Sequence, residues 1–384
     1  MLSTMPYRII HLIGGLDRGG AETMLYKILS RMNRDIFANE VISLTTLGPI
    51  ATQIQDLGIP VTALGMHQHK FRAVGRLLRI LRNKRPHLIQ SWNHHSDLLA
   101  LVGGWCTGTR TIFWNIRCSE VMEMGFPRLV KALAWISPLP TGIIVNSEAG
   151  LAVHSQLGYR PKAWHFIGNG FDCELFCQSS DKRQAFRQHH QIPDDSLLIG
   201  MIARFDPMKD HGTFFQAASQ LLEKTTYDVR FVLAGQGMLA SNTKLQELIP
   251  PRLRAHIILC GEDQAVDTID AALDIAVLSS CRTEGFPNAI GEAMSCGLPC
   301  VVTDVGDCRA LVGDTGIVVQ PQSPAILAEA MYQLIEEGKE CRNRRGQKAR
   351  AKIMSTYTLE IITQAYEKLY LQTLEGASLN VRCG

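Results

Sequence analysis

Short apolar runs alternate with amphipathic stretches along nearly the whole chain, the pattern of βα units built on parallel sheets. In the first half, Tyr7–Ile13, Ala38–Leu44, Val61–Leu64, His87–Gln90, Thr111–Asn115 and Gly142–Asn146 read as strands. Among them, Ala21–Met32, Pro49–Leu57 and Phe71–Asn83 carry helical periodicity, and Gly58 ends the second of these. A polar stretch without clear period runs from about Asp172 to Ser196, and Phe176–Asp181 reads as a linker. The alternation then restarts, with strands at Leu197–Ala203, Val229–Ala234, Ile257–Leu259, Asp274–Ser279 and Pro299–Thr303 and helices at His211–Lys224 and Asn242–Leu248. The expectation is an α/β protein with two Rossmann-like domains facing a cleft, residues 1–175 and 182–357. Residues 358–384, with a last helical pattern at Leu359–Leu374, are expected to fold back onto the first domain.

Composition narrows the class. With 384 residues the chain is too long for one ordinary core. Hydrophobic residues at 46% and charged residues at 20% are globular rather than disordered proportions. A net charge of +3 is too small to imply a nucleic-acid partner. The 11 cysteines include no Cys-x-x-Cys pair; Cys173/Cys177 and Cys296/Cys300 are the close spacings, and zinc would want a second close pair near each. The reading is therefore of reduced, mostly buried thiols in a cytosolic protein. No stretch of about 18 uninterrupted apolar residues is present, so no spanning helix is expected. Within Met1–Leu16 the short apolar run Ile9–Leu12 is interrupted by His11 and followed by Gly14-Gly15, which reads as a first strand and not as a secretory signal.

Three stretches carry candidate chemistry, each just after an expected strand, where such folds place their ligands. Gly14-Gly15-Leu16-Asp17-Arg18-Gly19-Gly20-Ala21-Glu22 opens a helix, and its glycines would let the backbone approach an anion such as a diphosphate. The spacing is not G-x-G-x-x-G, and a tight turn without ligand explains it equally well. Ala203-Arg204-Phe205-Asp206-Pro207-Met208-Lys209-Asp210 brings Arg204 and Lys209 into one turn, where both cations can converge on one anion. A solvated basic loop is the plainer account.

The third stretch, Ser279 to Met294, is the most specific. Glu284 lies in a loop, Pro287 suits the first turn of a helix, and Glu292 lies inside that helix. Amides around Phe286–Ala289 are donors for a phosphate, and carboxylates suit sugar hydroxyls. The alternative has Glu284 capping the helix and Glu292 facing solvent. Weaker signals are Asn146-Ser147-Glu148, Asn169-Gly170-Phe171-Asp172, Gly235-Gln236-Gly237 and His94-His95. A histidine there could act as base or orient an acceptor, and capping or packing explains either one as well.

On these residues the chain resembles the large family-4 group of retaining glycosyltransferases, which have the GT-B fold. Glu284 to Glu292 matches the group's E-x7-E motif and continues through Glu292-Ala293-Met294, Gly297-Leu298-Pro299 and Val301-Val302-Thr303-Asp304-Val305-Gly306. Arg204 and Lys209 match its paired diphosphate-binding cations, Gly19-Gly20-Ala21-Glu22 its glycine loop, and Asn169-Gly170-Phe171-Asp172 its Asn-Gly-x-Asp turn. The resemblance implies catalytic or charge-neutralising roles for Glu284, Arg204, Lys209 and His95. It implies donor contacts from Gly19, Gly20, Glu284, Gly285, Phe286, Pro287, Asn288 and Glu292, with the base near Gly235 and Gly261; Pro287 itself has no N–H to give. Glu292 would hold the ribose and Glu284 the sugar hydroxyls. The implied partners are a nucleoside-diphosphate sugar, a UDP-sugar first, and a glycan or lipid-linked acceptor in polysaccharide or glycolipid biosynthesis. No metal and no cofactor are implied, in keeping with the absence of an Asp-x-Asp motif. Asp307-Cys308-Arg309 departs from the group's usual glycine and small residues after Gly306.

Lys70, Arg72, Arg76, Arg79, Arg82, Lys84 and Arg85 interleave with Leu77, Leu78, Ile80 and Leu81. Such a basic amphipathic helix could rest on an anionic membrane face, or be the solvated side of an ordinary βα helix. The competing functions are a sugar-nucleotide epimerase of the same architecture and a non-catalytic two-domain binding protein.

Overall fold

The computed structural model describes residues 5–118, 127–262, 265–282 and 284–382; Thr283 of the third stretch lies outside them. The chain divides into two compact units, Met1–Gly170 with Leu359–Gly384, and Phe171–Thr358. Both are parallel α/β layers, and the pair is a GT-B fold. The division falls inside the Asn-Gly-x-Asp turn and not at 176–181. Phe176 is buried in the second unit's core, and Ser180 opens a helix.

The first unit holds β1 (Tyr7–Ile13), α1 (Gly20–Arg31), β2 (Phe37–Ser43), α2 (Pro49–Asp56), β3 (Val61–Ala63), α3 (Lys70–Lys84) and β4 (Leu88–Ser91). It continues with α4 (His94–Thr107), β5 (Ile112–Ile116), α5 (Pro127–Ile136), β6 (Gly142–Val145), α6 (Glu148–Gln156) and β7 (Trp164–Phe166). Its sheet has seven parallel strands in the order β3-β2-β1-β4-β5-β6-β7. The order reverses between β1 and β4, which makes that pair the switch point. On one face Ile10, Leu12, Ile89 and Trp114 pack against Leu77 and Leu81 of α3 and Ala100 of α4. The other face sets polar groups among buried apolar ones: His11, Asn39, Gln90 and Asn115 are all at most 9% exposed and alternate along their strands with Ile9, Ile13, Val41, Leu88 and Phe113.

That polar face is covered by the chain's last helix, α15 (Leu359–Arg382), which also packs on α1. Asn115 Nδ2 donates to Tyr366 Oη at 3.0 Å, and Tyr370 Oη donates to Gln90. Trp92 Nε1 donates to His11 Nδ1 at 3.2 Å, leaving His11 Nε2 to donate to Asn39 Oδ1 at 3.0 Å. Burial pushes His11 down to about 4, so it is neutral. Each of these side chains thus has at least one partner, while Gln90 Nε2 and Asn115 Oδ1 are left without one.

α3 answers the question its sequence left open. Ala73, Leu77 and Leu81 are buried against the body of the unit, so the apolar stripe is already occupied. The outer face carries Lys70, Arg72, Arg79 and Arg82, all exposed, with Phe71 96% exposed beside them. Arg76 bonds the Ala63 carbonyl at 3.0 Å and Lys84 pairs with Glu40 at 2.8 Å.

The second unit runs α7 (Ser180–His189), β8 (Leu197–Ile202), α8 (His211–Lys224), β9 (Val229–Ala234), α9 (Thr243–Leu248), β10 (Ile257–Leu259), α10 (Val266–Ala272) and β11 (Ile275–Leu278). Then come α11 (Asn288–Ser295), β12 (Cys300–Thr303), α12 (Cys308–Val312), β13 (Ile317–Val319), α13 (Pro324–Glu336) and α14 (Gly338–Thr356). Its six parallel strands lie in the order β10-β9-β8-β11-β12-β13, with the switch point between β8 and β11. Both faces are apolar: Leu198, Val232, Ala276 and Val302 on one, Ile199, Phe231, Val277 and Val301 on the other. All described cysteines are free thiols; Cys173, Cys296, Cys300 and Cys308 are buried and Cys106 is exposed.

Candidate active site

In the second unit the loops after β8 and β11 leave the sheet side by side at the switch point and are stitched together. Ser279 Oγ donates to the carbonyls of Lys209 (2.9 Å) and Asp210 (3.1 Å), and Cys281 N donates to Met208 O at 2.9 Å. Thr303 Oγ1, at the end of β12, donates to Ser280 O at 2.6 Å. The result is a rigid platform built from backbone at three strand ends.

Lys209 and Glu284 meet on this platform as an ion pair. Glu284 is 8% exposed and also accepts from Ser280 Oγ at 2.5 Å. It does not cap α11. Pro287 is the N-cap residue rather than a first-turn residue, it makes no side-chain cap, and α11 begins at Asn288. The N-cap residue therefore places no side-chain oxygen at the positive dipole end of α11. Glu292 sits one turn further on, partly exposed.

Arg204 is the exposed counterpart. Its side chain is 57% exposed and its Nε donates to Asp206 Oδ2 at 2.9 Å. Burial alone would raise Asp206, but the Met208 N–H and Arg204 outweigh it and hold the carboxyl below its usual range. Asp210 closes the loop in a left-handed conformation, φ 49°, and caps α8 by accepting from Thr213 N at 3.1 Å.

Two glycines are required by this geometry. Gly306 has φ 53°, and a Cβ there would lie 1.4 Å from the Glu284 carbonyl oxygen. Gly235 has φ 129°, and a Cβ there would lie 2.4 Å from the Ala203 carbonyl oxygen. Gly235 N donates to Gly261 O at 2.7 Å, so Gly235 and Gly261 meet each other and the Arg204 loop. Asp307 N reaches Gly285 O at 3.3 Å, while Arg309 turns away to pair with Asp304 at 2.5 Å.

The structure thus brings Arg204, Lys209, Gly235, Gly261, Glu284, Gly285, Phe286, Pro287, Asn288 and Glu292 onto adjoining loops of one sheet edge. Gly19, Gly20 and His95 belong to the first unit. Gly19 is the N-cap of α1 with no side chain capping it. His95 is exposed on the first turn of α4, whereas its neighbour His94 is buried. Sequence reasoning missed Asp270 of α10, whose two carboxylate oxygens have no hydrogen-bond partner. Burial, then the charges of Glu292 and Asp267, hold it well above the usual range.

Comparison with known proteins gives concordant matches. A family model described as Glycosyltransferase Family 4 matches residues 18–175, and one described as Glycosyl transferases group 1 matches residues 196–337. The putative glycosyltransferase EpsF of Bacillus subtilis is 27% identical, over 79% of this chain and 80% of its own. An Escherichia coli UDP-Gal:alpha-D-GlcNAc-diphosphoundecaprenol alpha-1,3-galactosyltransferase is 25% identical, over 83% of this chain and 73% of its own. Among solved structures, Anabaena Alr3699/HepE in complex with UDP superimposes with a TM-score of 0.84 at 21% identity, covering 95% of this chain and 100% of that one.

Proposed function

The chain belongs to the group 1, family 4 glycosyltransferases, and from that premise we propose that it moves a sugar from a UDP-sugar to a lipid-linked or glycan acceptor with retention of anomeric configuration. The observation that carries this reading is the Lys209–Glu284 pair on the loop that leads into the start of α11. A diphosphate at that helix end meets amide donors and a lysine, and Arg204 is exposed enough to swing onto it with two parallel donors. Lys209 would then exchange Glu284 for phosphate oxygen, and Glu284 would accept from the sugar hydroxyls. Glu292 would hold the ribose, Gly235 and Gly261 would border the base, and Gly19 and Gly20 would offer amides to the phosphates. As the C1–O bond to diphosphate breaks, the acceptor oxygen bonds to C1 on the same face. Its proton passes to the leaving phosphate oxygen, while Arg204 and Lys209 neutralise the charge that develops, without a metal. His95 would orient the acceptor. The lipid-linked acceptor is supported by the Escherichia coli relative, whose name specifies a diphosphoundecaprenol substrate.

A lipid-linked acceptor places the enzyme at a membrane face. Its contact there would be electrostatic, through the exposed Lys70, Arg72, Arg79 and Arg82 with Phe71 inserted, since the apolar stripe of α3 is packed inward. Anionic vesicles should bind the protein at low salt, and neutral vesicles should not.

The donor site is tested by melting curves with UDP, GDP, ADP and NAD, in buffers with and without magnesium. UDP should raise the melting temperature in both buffers, and Arg204→Ala should abolish the rise. A response to NAD alone, or to no nucleotide, would sink the reading. The anomeric configuration of the product, read by NMR, decides retention.

A further inference from the structure

The first unit contains a cluster that the transfer reading does not use. His94 opens α4 after β4, Cys118 follows β5, and His154 lies on α6 after β6. Their Nε2, Sγ and Nε2 ligand atoms all lie within 4.8 Å of one another. The two Nε2 atoms are 3.1 Å apart, with ring planes 14° from parallel. With ring centroids 5.4 Å apart, the two nitrogens face each other as a direct hydrogen bond. Two nitrogens bound tetrahedrally to one zinc ion would be about 3.3 Å apart, so an ion would replace this bond as the rings turn towards it. His154 Nδ1 donates to the Gly150 carbonyl at 2.8 Å, which leaves its Nε2 lone pair to accept from His94 and to bind an ion once that bond opens. A backbone carbonyl orienting a histidine in this way is a recurrent support for a metal ligand.

A second observation points to a missing positive charge. Asp97 is fully buried; its Oδ1 accepts from Ser91 at 2.6 Å, and its Oδ2 has no partner. Tyr159, whose ring meets His154 edge-on at 5.0 Å, also has a buried hydroxyl with no partner. Orphaned polar atoms of this kind are rare in native interiors and ask for an explanation. Asp97 lies close enough to Cys118 to act on its charge.

We propose that His94, Cys118 and His154 bind a zinc ion, with the Asp97 carboxylate as the second negative charge beside it. Zn²⁺ displaces the thiol proton and the Asp97 proton to solvent, and the doubly charged ion with one thiolate and one carboxylate is neutral as a group. A mixed nitrogen and sulfur donor set selects zinc over magnesium or calcium, which take oxygen. The ion is structural. It ties together the ends of three consecutive βα units and fixes the first turn of α4. This inference stands independently of the transfer reaction.

The test uses the full chain, stripped with a chelator and titrated with ZnCl2 against a chromophoric competitor. One tightly bound ion per chain is expected, with proton release on binding and a raised melting temperature. Cys118→Ser and His154→Asn should each weaken binding at least 100-fold. Co²⁺ in place of zinc should give a sulfur-to-metal charge-transfer band that Cys118→Ser removes, a readout independent of how well His154→Asn folds. A His189→Ala/His190→Ala variant, which removes an adjacent surface histidine pair, should bind as the parent does. The proposal is overturned by absence of stoichiometric binding, by binding indifferent to Cys118→Ser, or by binding that depends on His189 and His190.

Discussion

The two units use the same βα frame in opposite ways. In the second, the sheet is apolar on both faces and its polar chemistry is confined to the strand ends, where Glu284, Lys209 and Arg204 sit on loops bonded backbone to backbone. In the first, polar groups run through a buried face of the sheet itself, and Tyr366 and Tyr370 of α15 bond two of them, Asn115 and Gln90. A dry sheet with chemistry at its rim tolerates changes to that chemistry without losing its core. A sheet whose interior is polar ties stability to each hydrogen-bond partner.

Four measurements break or sharpen that contrast. Tyr370→Ala should be the most severe, removing a fully buried aromatic and the partner of Gln90. A loss of roughly 3–5 kcal/mol by urea unfolding is expected; a loss below 1 would mean α15 is not the cover of the sheet. Glu284→Ala should instead act on rate, lowering turnover about 100- to 1,000-fold, or roughly 2.7–4 kcal/mol of transition-state stabilisation. Its circular dichroism spectrum should remain that of the parent, and a collapse of secondary structure would erase the distinction between the units. Tyr366→Phe keeps the ring but orphans Asn115 Nδ2 and Arg117 Nη1, costing about 1–3 kcal/mol with activity per folded molecule retained.

The smallest effect is a pH dependence. The folded His11 titrates near 4, below its ordinary 6.5, so as pH falls from 6.5 towards 4 the unfolded chain gains a proton that the folded chain refuses. Stability present above 6.5 should fall by up to about 1.4 kcal/mol per pH unit in that window. Comparing unfolding curves at pH 7 and 5 for the parent and His11→Gln isolates this contribution, and an unchanged slope in the variant would assign it elsewhere.

The contrast also governs what was legible. Apolar parallel strands announce themselves, and the expected Val229–Ala234 and Ile257–Leu259 are the observed β9 and β10. The Glu284 to Glu292 stretch is contiguous, so its loop-then-helix placement could be read from the sequence. α7 was not legible and lay in what read as a polar stretch. Its side chains are mostly polar, and it is anchored by Arg187, 4% exposed, and Arg183, both paired with Asp274. The cluster of His94, Cys118 and His154 was equally invisible, because its members follow three different strands and meet only when β4, β5 and β6 are laid side by side.

The return of α15 has a consequence for how the protein is made. The first unit emerges from the ribosome first but cannot be completed first. Its closing helix follows the whole of Phe171–Thr358, a delay of about 10 to 40 s at ordinary elongation rates of roughly 5–20 residues per second. During that interval the His11–Asn39–Gln90–Asn115 layer faces water or a chaperone, while the second unit already holds every strand and helix it needs. The later-born half is thus the one equipped to fold during synthesis, and the earlier-born half waits for α15.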